Sequence, residues 1–150
     1  MHLRRGQPFD AETLFDVWLR AVRATHSFVA EEDLQTLIPL VRSYLNSRDS
    51  EFWVLCADSE DAVGFMGLSQ DTIESLFIAP EHHRRGGGRL LVEKAKGLCG
   101  ELTVDVNEQN LGARRFYEAL GFSVESRSET DEMGLPYPLL HMRRPADGGS

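Results

Sequence analysis

The sequence predicts a mixed α/β fold, built in layers around one core. Three observations carry that expectation. The early half reads as two amphipathic helices followed by an antiparallel meander. The later half reads as strand, polar loop, helix, strand, helix and two further strands. No internal repeat and no linker divides the 150 residues, so a single domain over 1–150 is expected, with a flexible tail from about residue 144.

Leu3 to Arg5 suits a short first strand. Asp10 is placed as the N-cap of a helix over 11–24, with Leu14, Val17, Trp18, Ala21 and Val22 at helical spacing. Thr25-His26-Ser27-Phe28 breaks that pattern. A second helix over 30–45 puts Leu34, Leu37, Ile38, Val41 and Leu45 on one face, with Pro39 expected to end or kink it. After a polar turn over 46–50, strands at 52–57 and 62–69 form a hairpin across Asp58–Asp61. The strand 73–79 stops at Pro80 and leads into the polar loop His82–Gly88. The next helix points Leu90, Leu91, Ala95 and Leu98 inward. A strand at 102–107 precedes a helix at 111–120 that Gly121 caps. Strands at 122–128 and 138–142 flank the acidic loop Glu129–Gly134 and end the pattern.

Apolar residues make up 41% of the chain and charged residues 27%, a balance that suits a soluble domain with a real core. Sixteen Lys and Arg against 24 Asp and Glu give a net charge of −8. That excess argues against nucleic acid as a partner, because phosphate neutralisation needs Lys and Arg. It leaves room for one small basic pocket and favours a cationic partner. No apolar run spans a bilayer, so no membrane partner is expected. Cys56 and Cys99 have neither disulfide-framework nor metal-ligand spacing, so no metal is expected and free thiols in a reducing cytoplasm fit. No apolar segment follows Met1–Gly6, so no signal peptide is expected.

Two clusters carry chemistry. His83-Arg84-Arg85-Gly86-Gly87-Gly88, followed by Arg89, lies between an apolar strand and a helix. A helix start offers unpaired N–H groups, glycines let backbone approach closely, and the basic side chains add charge: together these make a pyrophosphate cradle. Neither a P-loop nor a Rossmann fingerprint is present, because no Lys-Ser/Thr follows the glycines and no GxGxxG occurs. In the second cluster, Asp105, Asn107, Glu108, Gln109 and Asn110 close a strand and open a helix. Tyr117 lies seven residues beyond Asn110, nearly two turns, so both project from one side of that helix. Taken alone, Tyr117 reads as a core tyrosine.

The two clusters together resemble the GNAT superfamily of N-acetyltransferases. The residues that carry the resemblance are Leu76-Phe-Ile-Ala-Pro80…His83-Arg-Arg-Gly-Gly-Gly-Arg-Leu-Leu91 and Val106-Asn-Glu-Gln-Asn110…Ala113-Arg-Arg-Phe-Tyr117-Glu-Ala-Leu-Gly-Phe122. More loosely, Ala24–Phe28 and Gly134–Leu140 are similar to the YjaB-type bacterial branch. The resemblance implies a central, mostly antiparallel twisted sheet of about six or seven strands flanked by about four helices. It implies acetyl-CoA as co-substrate. The main chain of Leu76, Phe77 and Ile78 then pairs with the pantetheine, and the segment His83, Arg84, Arg85, Gly86, Gly87, Gly88 and Arg89 holds the pyrophosphate. Asn110, Ala113 and Tyr117 line the thioester end. His83 stands where the family keeps Arg or Gln. Gly87 replaces an apolar residue, which predicts a more mobile helix start.

For chemistry, the resemblance implies acetyl transfer to a primary amine by direct attack, with Tyr117 as general acid for the leaving thiolate. Glu74 and Asp105 are candidate bases, and His26 is a third. Trp18, His26, Phe28 and Tyr137 are candidate walls of the acceptor pocket. A non-catalytic acyl-CoA-binding module is the alternative. The sequence leaves open the amine (small molecule or protein) and the choice between monomer and homodimer.

Overall fold

The computed structural model describes residues 1–47 and 49–147; Arg48 of the expected turn and residues 148–150 of the expected tail lie outside the described residues. The strands are β1 (His2–Arg5), β2 (Glu51–Cys56), β3 (Ala62–Ser69), β4 (Thr72–Ile78), β5 (Leu102–Asn107), β6 (Ser123–Ser128) and β7 (Leu139–Arg144). They form one sheet in the order β1-β2-β3-β4-β5-β7-β6. Every neighbouring pair is antiparallel except β4 and β5, which run parallel. Helices α1 (Ala11–Thr25) and α2 (Glu31–Asn46) cover one face, and α3 (Gly87–Cys99) and α4 (Leu111–Ala119) the other. The expected sheet with four flanking helices is therefore present. No helix among the described residues is long and apolar enough to cross a membrane.

Two cores follow from strand alternation. On β2, Val54 and Cys56 pack under α1 and α2, while Leu55 packs under α3. On β5, Leu102, Val104 and Val106 are buried against the α3–α4 layer, which turns Asp105 and Asn107 to the opposite face. The α1 stripe of Leu14, Val17, Trp18, Ala21 and Val22 is buried as its spacing requires.

Several local expectations change. Asp10 does not cap α1 through its side chain. Its buried carboxylate instead takes both Arg4 guanidinium nitrogens at 2.8 Å and the Gln7 amide at 2.7 Å, tying β1 to the turn before α1. Helix α2 runs unbroken through Pro39. Pro39 lies on the exposed side, so the carbonyl that loses its donor faces water. On α3 the inward face is Leu91, Val92 and Ala95; Leu90 and Leu98 are 40% and 50% exposed, because their angular positions fall outside the narrow contact stripe. Arg144 belongs to β7 and not to a tail. Its buried side chain donates from Nε to Leu120 O at 2.9 Å and pairs with Asp147 at 2.6 Å.

Candidate active site

The parallel pair β4–β5 is short. Only Thr72↔Thr103 and Ile73↔Val104 are in register, with the two threonine hydroxyls 2.8 Å apart. Beyond them the strands part, and no strand pairs with the facing edges of Glu74–Ile78 and Asp105–Asn107 among the described residues. On its other side β4 carries a bulge: Gly67 pairs with Ser75 and Leu68 with Ile73, leaving Glu74 as the extra residue. Bulges re-aim side chains beside active sites, and here the re-aimed side chain is a carboxylate at the mouth of the gap.

The gap joins two cavities. One, of about 120 Å³, is lined by His26, Glu74, Leu76, Phe77, Asp105, Asn110, Ala113 and Tyr117 among others. The other, of about 360 Å³, lies under α1 and α2, where Trp18, Leu37, Val41 and Tyr44 face Asp131, Glu132, Met133 and Leu139. Glu74, Ser75, Phe77, Asp105 and Asn107 line both, so they form the passage between them. The wide cavity explains why Leu37 and Val41 are only partly buried: both line it.

Tyr117 is 6% exposed, with its ring edge-on to Phe116 and Phe122. Its hydroxyl has no hydrogen-bond partner among the described residues, yet no fully buried side-chain polar atom is unsatisfied. The oxygen therefore keeps access to the cavity that the residue lines. Burial pushes the phenol well above its ordinary value, so it stays protonated at neutral pH.

Asn110 caps α4: its Oδ1 accepts the Ala113 amide at 3.1 Å. Its Nδ2 lies 3.5 Å from His26 Nε2, and His26 Nδ1 lies 2.8 Å from Thr25 Oγ1, whose hydroxyl donates to Ala21 O. An amide nitrogen can only donate, so Nε2 is the acceptor and Nδ1 carries the proton. Burial lowers the His26 pKa to about 4, which keeps the ring neutral and makes it a weak base. His26 thus holds Asn110 in place, beside the gap.

At the far end of β4 the cradle is open. The start of α3 has no side-chain cap, and Gly86 sits there at φ +84° with nothing within 4 Å of where a Cβ would be. Its first N–H groups are left for a ligand. Arg84, itself left-handed at φ +63°, makes no ion pair with a carboxylate among the described residues, and neither does Arg85 or Arg89. His83 is differently employed: Nε2–H donates to Ile78 O at 2.7 Å, fixing the turn to the end of β4. At Gly87 a Cβ would lie 2.4 Å from Leu55 Cδ2, so the glycine lets the helix press onto β2. Gly88 meets Phe116 in the same way, at 2.9 Å, which sets the cradle beside α4.

Of the two carboxylates in the passage, Glu74 accepts Ser50 Oγ at 2.5 Å. Asp105 is bonded to His141 Nδ1 at 2.6 Å, and His141 Nε2 to Ser128 Oγ at 2.6 Å. Asn107, already part of the second sequence cluster, lines both cavities beside Asp105. His141 is the residue that the sequence reading missed: no local signal could have found it, because it arrives through the β5–β7 register.

Of the expected acceptor-pocket walls, Trp18 lines the wide cavity and His26 the narrow one; Phe28 and Tyr137 line neither. Tyr137 is buried, donates its hydroxyl to Asp33 and accepts the Ala30 amide at 3.1 Å. Phe28 stacks between His26 and Tyr137, at centroid distances of 5.3 and 6.1 Å. The pair clasps the α1–α2 corner to the segment before β7, which is packing work.

A profile of the Acetyltransferase (GNAT) family matches residues 10–122. The peptidyl-lysine N-acetyltransferase YjaB of Escherichia coli K12 is 44% identical over 140 residues, spanning 93% of this chain and 94% of that protein. The solution structure of apo YjaB from Escherichia coli superposes with a TM-score of 0.88 at 43% identity, covering 95% of each chain. At 22% identity, the PaiA N-acetyltransferase of Thermoplasma acidophilum, solved with coenzyme A, shares the fold, with a TM-score of 0.79 over 96% of this chain and 98% of that one. The family match and the 44% relative are two independent grounds for one conclusion: this chain belongs to the GNAT family and is an N-acetyltransferase.

Proposed function

We propose that the protein transfers an acetyl group from acetyl-CoA to the ε-amine of a lysine in a peptide or protein, by direct attack within the β4–β5 gap. The observation that carries this is the passage itself. It sets two carboxylates at the junction of a narrow cavity and a wide one, and the narrow cavity is lined by a protonated Tyr117 hydroxyl with no hydrogen-bond partner among the described residues. The uncapped α3 start and the free Arg84, Arg85 and Arg89 suit the pyrophosphate. The open edge of Leu76-Phe77-Ile78 suits the pantetheine as an added strand. The wide cavity, lined by Glu74, Asp105, Asp131 and Glu132, suits a cationic side chain arriving on a larger molecule. The relative from Escherichia coli is named for peptidyl-lysine, in agreement with that acceptor.

Bound acetyl-CoA supplies the thioester carbonyl and the thiolate leaving group. Asp105 takes the proton of the incoming ammonium, directly or through water, with Glu74 as the second carboxylate able to do so. Backbone N–H groups on the free edge of β4 hold the oxyanion. The Tyr117 hydroxyl protonates the departing sulfur as the tetrahedral intermediate collapses; the attacking nitrogen sheds its second proton to solvent, from which the phenolate recovers its own. The free thiols Cys56 and Cys99 suit a cytoplasmic setting.

The other reading, an acyl-CoA-binding module without turnover, draws on His83, whose ring is spent on Ile78 O and not on an anion. Calorimetry with acetyl-CoA and CoA, followed by thiol release against a panel of amines, separates the two. Turnover on a lysine peptide supports the enzyme. Binding with no thiol release on any amine supports the module, and no binding at all sinks both.

A further inference from the structure

Asp105, His141 and Ser128 form a line across three neighbouring strands, on the face of the sheet opposite the α3–α4 core. Asp105 and His141 are register partners on β5 and β7, so their side chains rise from the sheet side by side. The carboxylate can only accept, so His141 Nδ1 donates to Asp105 Oδ1 at 2.6 Å. In the Nδ1–H tautomer Nε2 is the acceptor, and the Ser128 hydroxyl donates into it, also at 2.6 Å. The ring is thereby fixed in flip and tautomer from one side, and the carboxylate is fixed in rotamer from the other. With Oδ1 engaged, Oδ2 of Asp105 makes no hydrogen bond among the described residues, and Asp105 lines both cavities at the passage.

We propose that His141, held by Ser128, is the positioning residue of the general base: it fixes Asp105 so that the second carboxylate oxygen meets the acceptor amine. This role presupposes Asp105 as base, the assignment made above. Glu74 is bound to a single flexible hydroxyl, that of Ser50, whereas Asp105 is held by a ring that is itself held. A base aimed within a fraction of an ångström is the better one, since small misplacements cost large factors in rate.

The surroundings do not compete for His141. Arg143, two residues along β7 on the same face, is taken by Glu101 and Glu125. Arg127 on β6 is taken by Glu108, at 2.5 Å. From β5 the flanking groups on this face are Thr103 and Asn107, both uncharged; from the loop before β7 the nearby acids are Asp131 and Glu132, which line the wide cavity with Asp105. Asp105 is therefore the carboxylate that the ring meets.

The test uses the full-length enzyme, acetyl-CoA and a short lysine peptide, with thiol release followed at one pH. Three variants are compared. His141→Leu is expected to lower kcat by about 10-fold or more, with the KM for acetyl-CoA unchanged. His141→Asn keeps an N–H donor near the Nδ1 position and is expected to recover much of kcat. Asp105→Asn is expected to be slower than either. If Asp105→Asn turns over like the wild type, the base assignment itself fails. If Asp105→Asn is slow while His141→Leu keeps wild-type kcat, or His141→Asn is no faster than His141→Leu, the base stands and the positioning role is overturned. Should His141→Leu fail to fold, Ser128→Ala, which frees the ring, takes its place: a lowered kcat at unchanged KM is expected, and wild-type kcat overturns the positioning role.

Discussion

Asn110 is shared between two parts of the molecule: Oδ1 caps α4 at Ala113, and Nδ2 donates to His26 Nε2 at the end of α1. One side chain thus ties the helix that carries Tyr117 to the corner that borders the acceptor cleft. The contact fixes His26 as the Nδ1–H tautomer, and burial, with no carboxylate beside the ring, lowers its pKa to about 4.

That shift has a consequence for stability. The unfolded chain, with an ordinary imidazole, binds a proton below a pH of about 6.5 that the folded chain refuses until about 4. His26 therefore costs nothing above that window, and stability falls as pH drops through it, by on the order of 3 kcal/mol. Denaturant titrations of the wild type and His26→Gln at several pH values are expected to diverge between these limits and to run parallel above them. Parallel curves throughout would remove His26 as the cause.

Tyr117→Phe is expected to lower kcat by ~10²-fold, with little change in stability or acetyl-CoA affinity. The hydroxyl makes no hydrogen bond among the described residues, and the ring keeps its contacts with Phe116 and Phe122. Thiol-release kinetics and a thermal melt check both halves. An unchanged kcat removes Tyr117 from the acid role.

Arg84 and Arg85 are exposed, and neither is paired with a carboxylate among the described residues, in a chain of net charge −8. Replacing both with Ala is expected to raise the Kd for CoA by about 10-fold, since charge-assisted bonds to phosphate are lost. It should also flatten the dependence of Kd on salt. Calorimetry at two ionic strengths measures both. A Kd that stays put would assign the pyrophosphate to the α3 amides alone.

Gly87→Ala tests the cradle as packing. A Cβ at 2.4 Å from Leu55 Cδ2, in a fully buried leucine, forces that side chain aside. A loss of about 1–2 kcal/mol is expected by denaturant unfolding, as for other overpacked sites. A neutral result would show that the α3 start has slack.

Much of the fold was legible because it rests on local periodicity. The α1 stripe, the β2–β3 hairpin and the loop before α3 each announce themselves within a short window. The two motif clusters were legible for the same reason, and the structure sets both around one gap. What stayed hidden depends on long-range pairing. The sheet order β5-β7-β6 puts His141 beside Asp105, 36 residues away in sequence. Tyr137 looked like a pocket wall, yet its hydroxyl reaches Asp33, 104 residues away. Leu98 kept helical spacing but faces water, since spacing fixes a face of the helix and not how far the neighbouring layer covers it. Gly87 read as slack in the chain, and became close contact only once Leu55 was placed against it.

The central claim is that the β4–β5 gap transfers acetyl from acetyl-CoA to a lysine amine. Incubating the protein with acetyl-CoA and a lysine peptide, while thiol release and peptide mass are followed together, tests it most directly. The expected result is one acetyl group on the ε-amine for each CoA released, with both signals lost together in Tyr117→Phe. CoA binding with no thiol released to this peptide or to any other amine would contradict it.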